Sequence, residues 1–110
     1  MTVETTSENL AAKLEQLAEF YRNGFASEIM LKTLHKLFQY EAETCRSQLK
    51  HLETDLYDFE KQYGMPSEVF FKRFQAGKTD DRMDFVEWAS LIQMASRLKK
   101  QTKLLESQHN

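Results

Sequence analysis

From Ser27 to Tyr63 the chain contains no Gly or Pro, and its apolar residues recur every three or four positions. The series is Leu31, Leu34, Phe38, Ala42, Cys45, Leu49, Leu52, Leu56, Phe59 and Tyr63. That spacing marks one face of a helix and not the alternation of a strand. A helix of this length extends roughly 50 Å at ~1.5 Å per residue, more than the width of a small domain. The pattern therefore predicts a rod with more apolar surface than its own chain readily covers. Its first third carries Ile29, Met30, Leu31, Leu34, Leu37, Phe38 and Tyr40, which occupy more than one face. This broad end is expected to be buried on two sides, with the segment Leu10–Tyr21 as its cover. Beyond Tyr40 the band narrows to a seam flanked by Glu41, Glu43, Arg46, Lys50, Glu53 and Asp55. A narrow seam between charged shoulders reads as coiled-coil-like packing. The four-residue steps Leu34–Phe38–Ala42 would locally unwind such a supercoil.

The remaining elements follow from local signals. Leu10, Leu14, Leu17 and Tyr21 mark a short amphipathic helix that Asn23-Gly24 terminates. Thr5 with Glu8 has capping-box spacing, Ser7 is an equal candidate for the cap, and residues 1–6 read as frayed. Ser27 is placed to cap the long helix. The run Tyr63-Gly64-Met65-Pro66-Ser67 ends it, since Pro66 cannot continue a helix and Ser67 can cap the next one. A brief helix from Glu68 to Gln75 bears Val69, Phe70, Phe71 and Phe74, and Gly77 closes it. After a polar loop, Asp84 and Glu87 form a capping box for a helix from Phe85 to Leu105. Its face holds Phe85, Trp88, Leu91, Ile92, Ala95, Leu98, Thr102 and Leu105, suited to folding back antiparallel along the second half of the long helix. Ser107 to Asn110 is a tail. The fold class is all-α: a long central helix, an antiparallel C-terminal helix, a short Phe-rich connecting helix and a small N-terminal helix, in one domain spanning residues 1–110.

Composition sharpens this picture only in places. A hydrophobic content of 41% against 29% charged residues suits helices with one wet face. The net charge of −2 offers nothing that recruits nucleic acid or an anionic membrane overall. Cys45 is the single cysteine, which rules out an intrachain disulfide. Its place on the apolar stripe predicts a small buried hydrophobe and not a reactive thiol. Neither a secretory signal nor an apolar run long enough for a membrane span is present, so the expected location is cytoplasmic.

Candidate chemistry is sparse. Residues Phe70 to Met94 resemble part of a calcium-binding EF-hand, with Glu87 at the bidentate position. Ala76 and Lys78 fall where the first ligands belong, and Asp81 replaces the turn glycine, so helix capping explains Asp84 and Glu87 without an ion. His35, His51 and His109 form no metal constellation. A bundle di-metal site needs Glu-x-x-His pairs on two facing helices, and only Glu106 with His109 has that spacing. No phosphate loop or activated nucleophile is present, so the expectation is a protein that is not an enzyme and uses no cofactor. Nucleic-acid binding is the rival reading. Lys72, Arg73 and Lys78 lie near Phe70, Phe71 and Phe74, and Arg97, Lys99, Lys100 and Lys103 form a second basic group. Asp80, Asp81, Asp84 and Glu87 answer the first group, and the connection is too long for an ordinary helix-turn-helix.

The stretch Tyr63-Gly-Met-Pro-Ser, then Phe70-Phe-Lys-Arg-Phe-Gln-Ala-Gly77, then Asp84-Phe-Val-Glu-Trp88 carries a resemblance. It is similar to a group of small, all-helical, mostly uncharacterised bacterial proteins that share these three motifs, over roughly residues 30–105. Members are often encoded beside a small toxin-like protein, so the resemblance implies an antitoxin-like, partner-binding role. The loop Lys78–Asp81 departs from the group's pattern, and residues 1–27 lie outside the match. Physically, Arg73 and Glu87 are spaced to pair across the loop, with Phe70, Phe74 and Trp88 packed between the two helices. An ordinary corner core is one reading of these residues. The other is an aromatic–Arg contact surface for a partner, made of Phe70, Phe71, Arg73, Phe74, Asp84, Glu87 and Trp88. The expected assembly is a homodimer through Cys45, Leu49, Leu52, Leu56 and Phe59. The expected function is non-catalytic protein binding of the antitoxin type, with a structural coiled-coil dimer or a DNA-binding regulator as alternatives.

Overall fold

The computed structural model describes residues 3–106, with side chains from residue 9 onward. The fold is all-α: α1 (Val3–Arg22), α2 (Glu28–Tyr63), α3 (Ser67–Gln75) and α4 (Met83–Glu106), with no strand among the described residues. Contacts divide the chain into two compact units, Met1–Lys36 and Leu37–Asn110. The boundary falls within α2.

In the first unit, α1 ends as Asn23-Gly24 dictates. Gly24 has φ +80, its N–H donates to the Tyr21 carbonyl (2.9 Å), and the Phe25 N–H donates to the Phe20 carbonyl (3.2 Å). These two bonds use carbonyls that the helix end would otherwise leave unpaired, and the Phe20–Phe25 rings meet edge-on across them at 5.5 Å. Ser27 caps α2 as expected, its Oγ accepting the Met30 N–H at 3.1 Å. Two expectations fail here. α1 begins at Val3, so Thr5 and Ser7 lie inside the helix and residues 3–6 are helical where fraying was predicted. The start of α2 is also not buried on two sides: Ile29 is 75% exposed, Tyr40 66%, and Leu31, Leu37 and Phe38 are exposed as well. The reason is angular. Ile29 lies roughly 140° around the helix from the half-buried Leu34, so the two cannot share one covered stripe.

In the second unit, α4 runs back antiparallel along α2. Phe59 stacks with Trp88 near one end, while Cys45 meets Gln101 and Arg46 pairs with Glu106 near the other. The predicted stripe is the buried one: Ala42, Cys45 and Leu52 are buried on α2, and Trp88, Ala89 and Ala95 on α4. α2 stops at Gly64, whose N–H donates to the Glu60 carbonyl at 2.8 Å with φ +65. No atom lies within 4 Å of a Cβ placed there, so only backbone strain opposes a side chain. Gly64→Ala is therefore expected to lower stability by about 1–2 kcal/mol, read by denaturant unfolding. Ser67 is not the cap of α3. Pro66 holds that position without a side-chain bond, and the Glu60 carboxylate accepts the Ser67 N–H at 2.9 Å instead. The last turn of α2 thus satisfies an orphan donor of α3.

Candidate interaction site

The α3–loop–α4 corner was the sequence's candidate contact surface, and its geometry is that of a core. The Phe70 and Trp88 rings lie parallel with centroids 3.9 Å apart, and both side chains are fully enclosed. Phe59 and Tyr63 of α2 also stack with Trp88, at 5.5 and 5.7 Å. Met65, Phe71, Phe74, Phe85 and Ile92 pack around this centre. Burying an indole requires a partner for its N–H, and the Ser67 Oγ accepts it at 2.9 Å. Ser67 had to face inward for this, which is why it does not cap α3.

Asp84 is likewise diverted. Its carboxylate accepts the Tyr63 hydroxyl at 2.6 Å instead of closing a capping box with Glu87. α4 starts at Met83, one turn being closed by Phe85 and Val86 N–H groups donating to the Arg82 carbonyl. The Arg82 guanidinium lies over the Tyr63 and Phe85 rings, at 5.5 and 5.3 Å. The bond to Asp84 pushes the Tyr63 phenol above its ordinary 10.0, burial adds to the rise, and the Arg82 charge opposes it. Folding therefore favours the neutral phenol. Its contribution is complete below pH 10.0 and is lost as pH rises through the higher folded value. The expected result is an alkaline loss of stability that Tyr63→Phe flattens, read as unfolding midpoints across that range.

The predicted site residues thus separate. Phe70 and Trp88 are interior and offer no surface to a partner. Phe71 and Phe74 are half-buried against the same core, and Asp84 is half-buried on Tyr63. Arg73 and Glu87 are exposed and do not pair across the loop. The loop is held instead by the Gly77 and Lys78 N–H groups, which donate to the Phe74 and Arg73 carbonyls. The proposed dimer seam, Cys45, Leu49, Leu52, Leu56 and Phe59, belongs to the face that α4 of the same chain covers. A second copy could use it only by displacing α4. None of these contacts was legible beforehand: Ser67–Trp88 and Tyr63–Asp84 each join residues 21 positions apart, and only the polar residue types hinted at them.

Among the described residues, no group of three or more His, Cys, Asp or Glu side chains is placed to hold a metal ion. His35 and His51 are exposed, and the Glu106–His109 spacing ends outside the described residues. Cys45 is buried, its thiol donating to the Gln101 side-chain oxygen at 3.7 Å. No described helix is long and apolar enough to cross a membrane.

Exposed large apolar side chains occur in both units, with Leu37, Phe38, Tyr40, Met83 and Leu104 among those of the second. Leu10, Leu14, Tyr21, Phe25 and Ile29 of the first unit are each more than half accessible, and no described residue of that unit is buried. In comparisons with protein-family models, curated proteins and solved structures, nothing matched this chain.

Proposed function

We propose that the chain is a non-catalytic protein-binding protein whose contact surface is the apolar face of its first unit. One observation carries this reading: a unit built from α1 and the start of α2 that buries none of its described residues while exposing Leu10, Leu14, Tyr21, Phe25 and Ile29. Each such side chain gains about 1.5–3 kcal/mol on full burial, and contiguous exposed apolar surface marks interaction sites. Most helical stability in proteins comes from tertiary packing of an amphipathic face, so a partner that covers α1 also stabilises it.

The motif resemblance supports a small toxin-like protein as that partner, in the cytoplasm, where the Cys45 thiol stays reduced. Its shared residues Tyr63, Phe70, Phe74 and Trp88 build the core of the second unit. The motif on this reading preserves a scaffold, and residues outside it set the contact. A homodimer is the second reading, favoured by the exposure of Leu37, Phe38 and Tyr40 on α2. Nucleic acid is disfavoured, since Lys78 and Arg73 share their hollow with Asp80.

The test is retention of a small native partner by the tagged protein. Leu14→Glu combined with Tyr21→Glu is expected to abolish retention while leaving the circular dichroism of the second unit intact. Undiminished retention by that variant would contradict the assignment of the surface.

A further inference from the structure

The second unit contains an open groove between α2, α3 and α4, of about 650 Å³. Its floor is apolar: Leu56 of α2, Phe71 of α3 and Ile92 of α4 are half-buried there, and Ala95 is buried. Its rim carries Lys72 on α3 and Lys99 on α4, with Glu68 opposing them. Both lysines are exposed, and neither has an ion-pair partner among the described residues. Glu68 precedes Lys72 by one helical turn, the usual spacing of a pair, yet the two do not pair.

The α4 wall sets the sign of the charge around this groove. Beyond Ala95 that helix bears Arg97, Lys99, Lys100 and Lys103 against a single acid, Glu106. Glu106 is already paired with Arg46 of α2. An apolar floor below unpaired cations suits an amphipathic anion, since the floor takes the hydrocarbon and the rim takes the charge. A volume of about 650 Å³ lies within the range of pockets that hold small molecules.

We infer that the α2–α3–α4 groove binds a medium-chain carboxylate, with its chain along Leu56, Phe71 and Ile92 and its carboxylate facing Lys72 and Lys99. The site lies wholly in the second unit, so it neither uses nor competes for the apolar surface of the first. The chain supplies most of the affinity, about four-fold for each methylene that is fully buried. The two lysines orient the ligand and select an anion over a neutral chain of the same length.

The experiment titrates the isotope-labelled, full-length protein with octanoate, decanoate and octan-1-ol below micelle formation and follows the backbone amide resonances. Saturable shifts are expected at Leu56, Phe71, Ile92 and Ser96, with decanoate binding several-fold tighter than octanoate. Lys72→Glu with Lys99→Glu is expected to weaken octanoate several-fold and to leave octan-1-ol unchanged. Both positions are exposed, and the neutral ligand reports that the groove stays folded. No saturable shift in the groove, or shifts confined to Leu10 through Ile29, would overturn the inference. An octanoate affinity unchanged by the charge reversal would do the same. So would equal weakening of octanoate and octan-1-ol, because the lysines would then act through the fold.

Discussion

Trp88→Ala is expected to remove about 3–5 kcal/mol of stability, the range for deleting a large buried aromatic. A small domain has about 5–15 kcal/mol in total, so much of the variant would be unfolded or close to it. The size follows from the position of the ring. Trp88 is 0% exposed, lies parallel to Phe70 at 3.9 Å, and also stacks with Phe59 and Tyr63 of α2. Its removal opens a cavity at the point where three helices meet, and the flanking rings cannot all move in to fill it. Trp88→Phe keeps an aromatic partner for Phe70 but removes the N–H that Ser67 accepts. That variant should lose less, with about 0.5–1.5 kcal/mol for the hydrogen bond and a further cost for the smaller ring. Chemical denaturation followed by far-ultraviolet circular dichroism measures both. A Trp88→Ala variant within about 0.5 kcal/mol of the parent, the range for surface changes, would mean the corner is not a core.

The second large effect is a contrast along a single helix. Leu52 and Phe38 belong to the same apolar stripe of α2, yet Leu52 is 9% exposed and Phe38 is 53% exposed. Leu52→Ala is expected to cost about 2–5 kcal/mol. Phe38→Ala should stay within about 0.5 kcal/mol in the dilute, unassembled chain. The difference follows the described length of α4, whose Glu106 pairs with Arg46, about two turns of α2 from Phe38. Equal destabilisation by the two substitutions would place cover over Phe38 that the structure does not contain.

Much of the fold could be read from spacing because helices announce themselves locally. The stripe from Ala42 to Tyr63, the stop at Gly64 and Pro66, the Phe-rich α3 and the returning face of α4 all rest on periodicity or on one residue's backbone preference. The antiparallel return was legible because both faces were narrow and matched in length. What could not be read was competition for polar side chains. Ser67 and Asp84 each have a strong local role as helix caps, and each is drawn off by a tertiary partner, Trp88 and Tyr63. A local rule cannot anticipate that an indole N–H twenty-one residues away will be buried beside a serine. The burial of Phe70 and Trp88 was hidden for a related reason. Aromatic residues beside an arginine suit an interface as well as a corner core, and only burial tells them apart. Burial assigned Phe70 and Trp88 to the core and left Leu10, Leu14, Tyr21 and Ile29 outside it.

Amide hydrogen exchange, read residue by residue, tests most directly whether the first unit needs another polypeptide to cover it. In the dilute monomer, amides from Leu10 to Leu31 are expected to exchange orders of magnitude faster than those around Trp88, and to slow on self-association or on addition of the native partner. If amides of α1 in that dilute monomer are as protected as those around Trp88, the unit is stable without a partner and the account is contradicted.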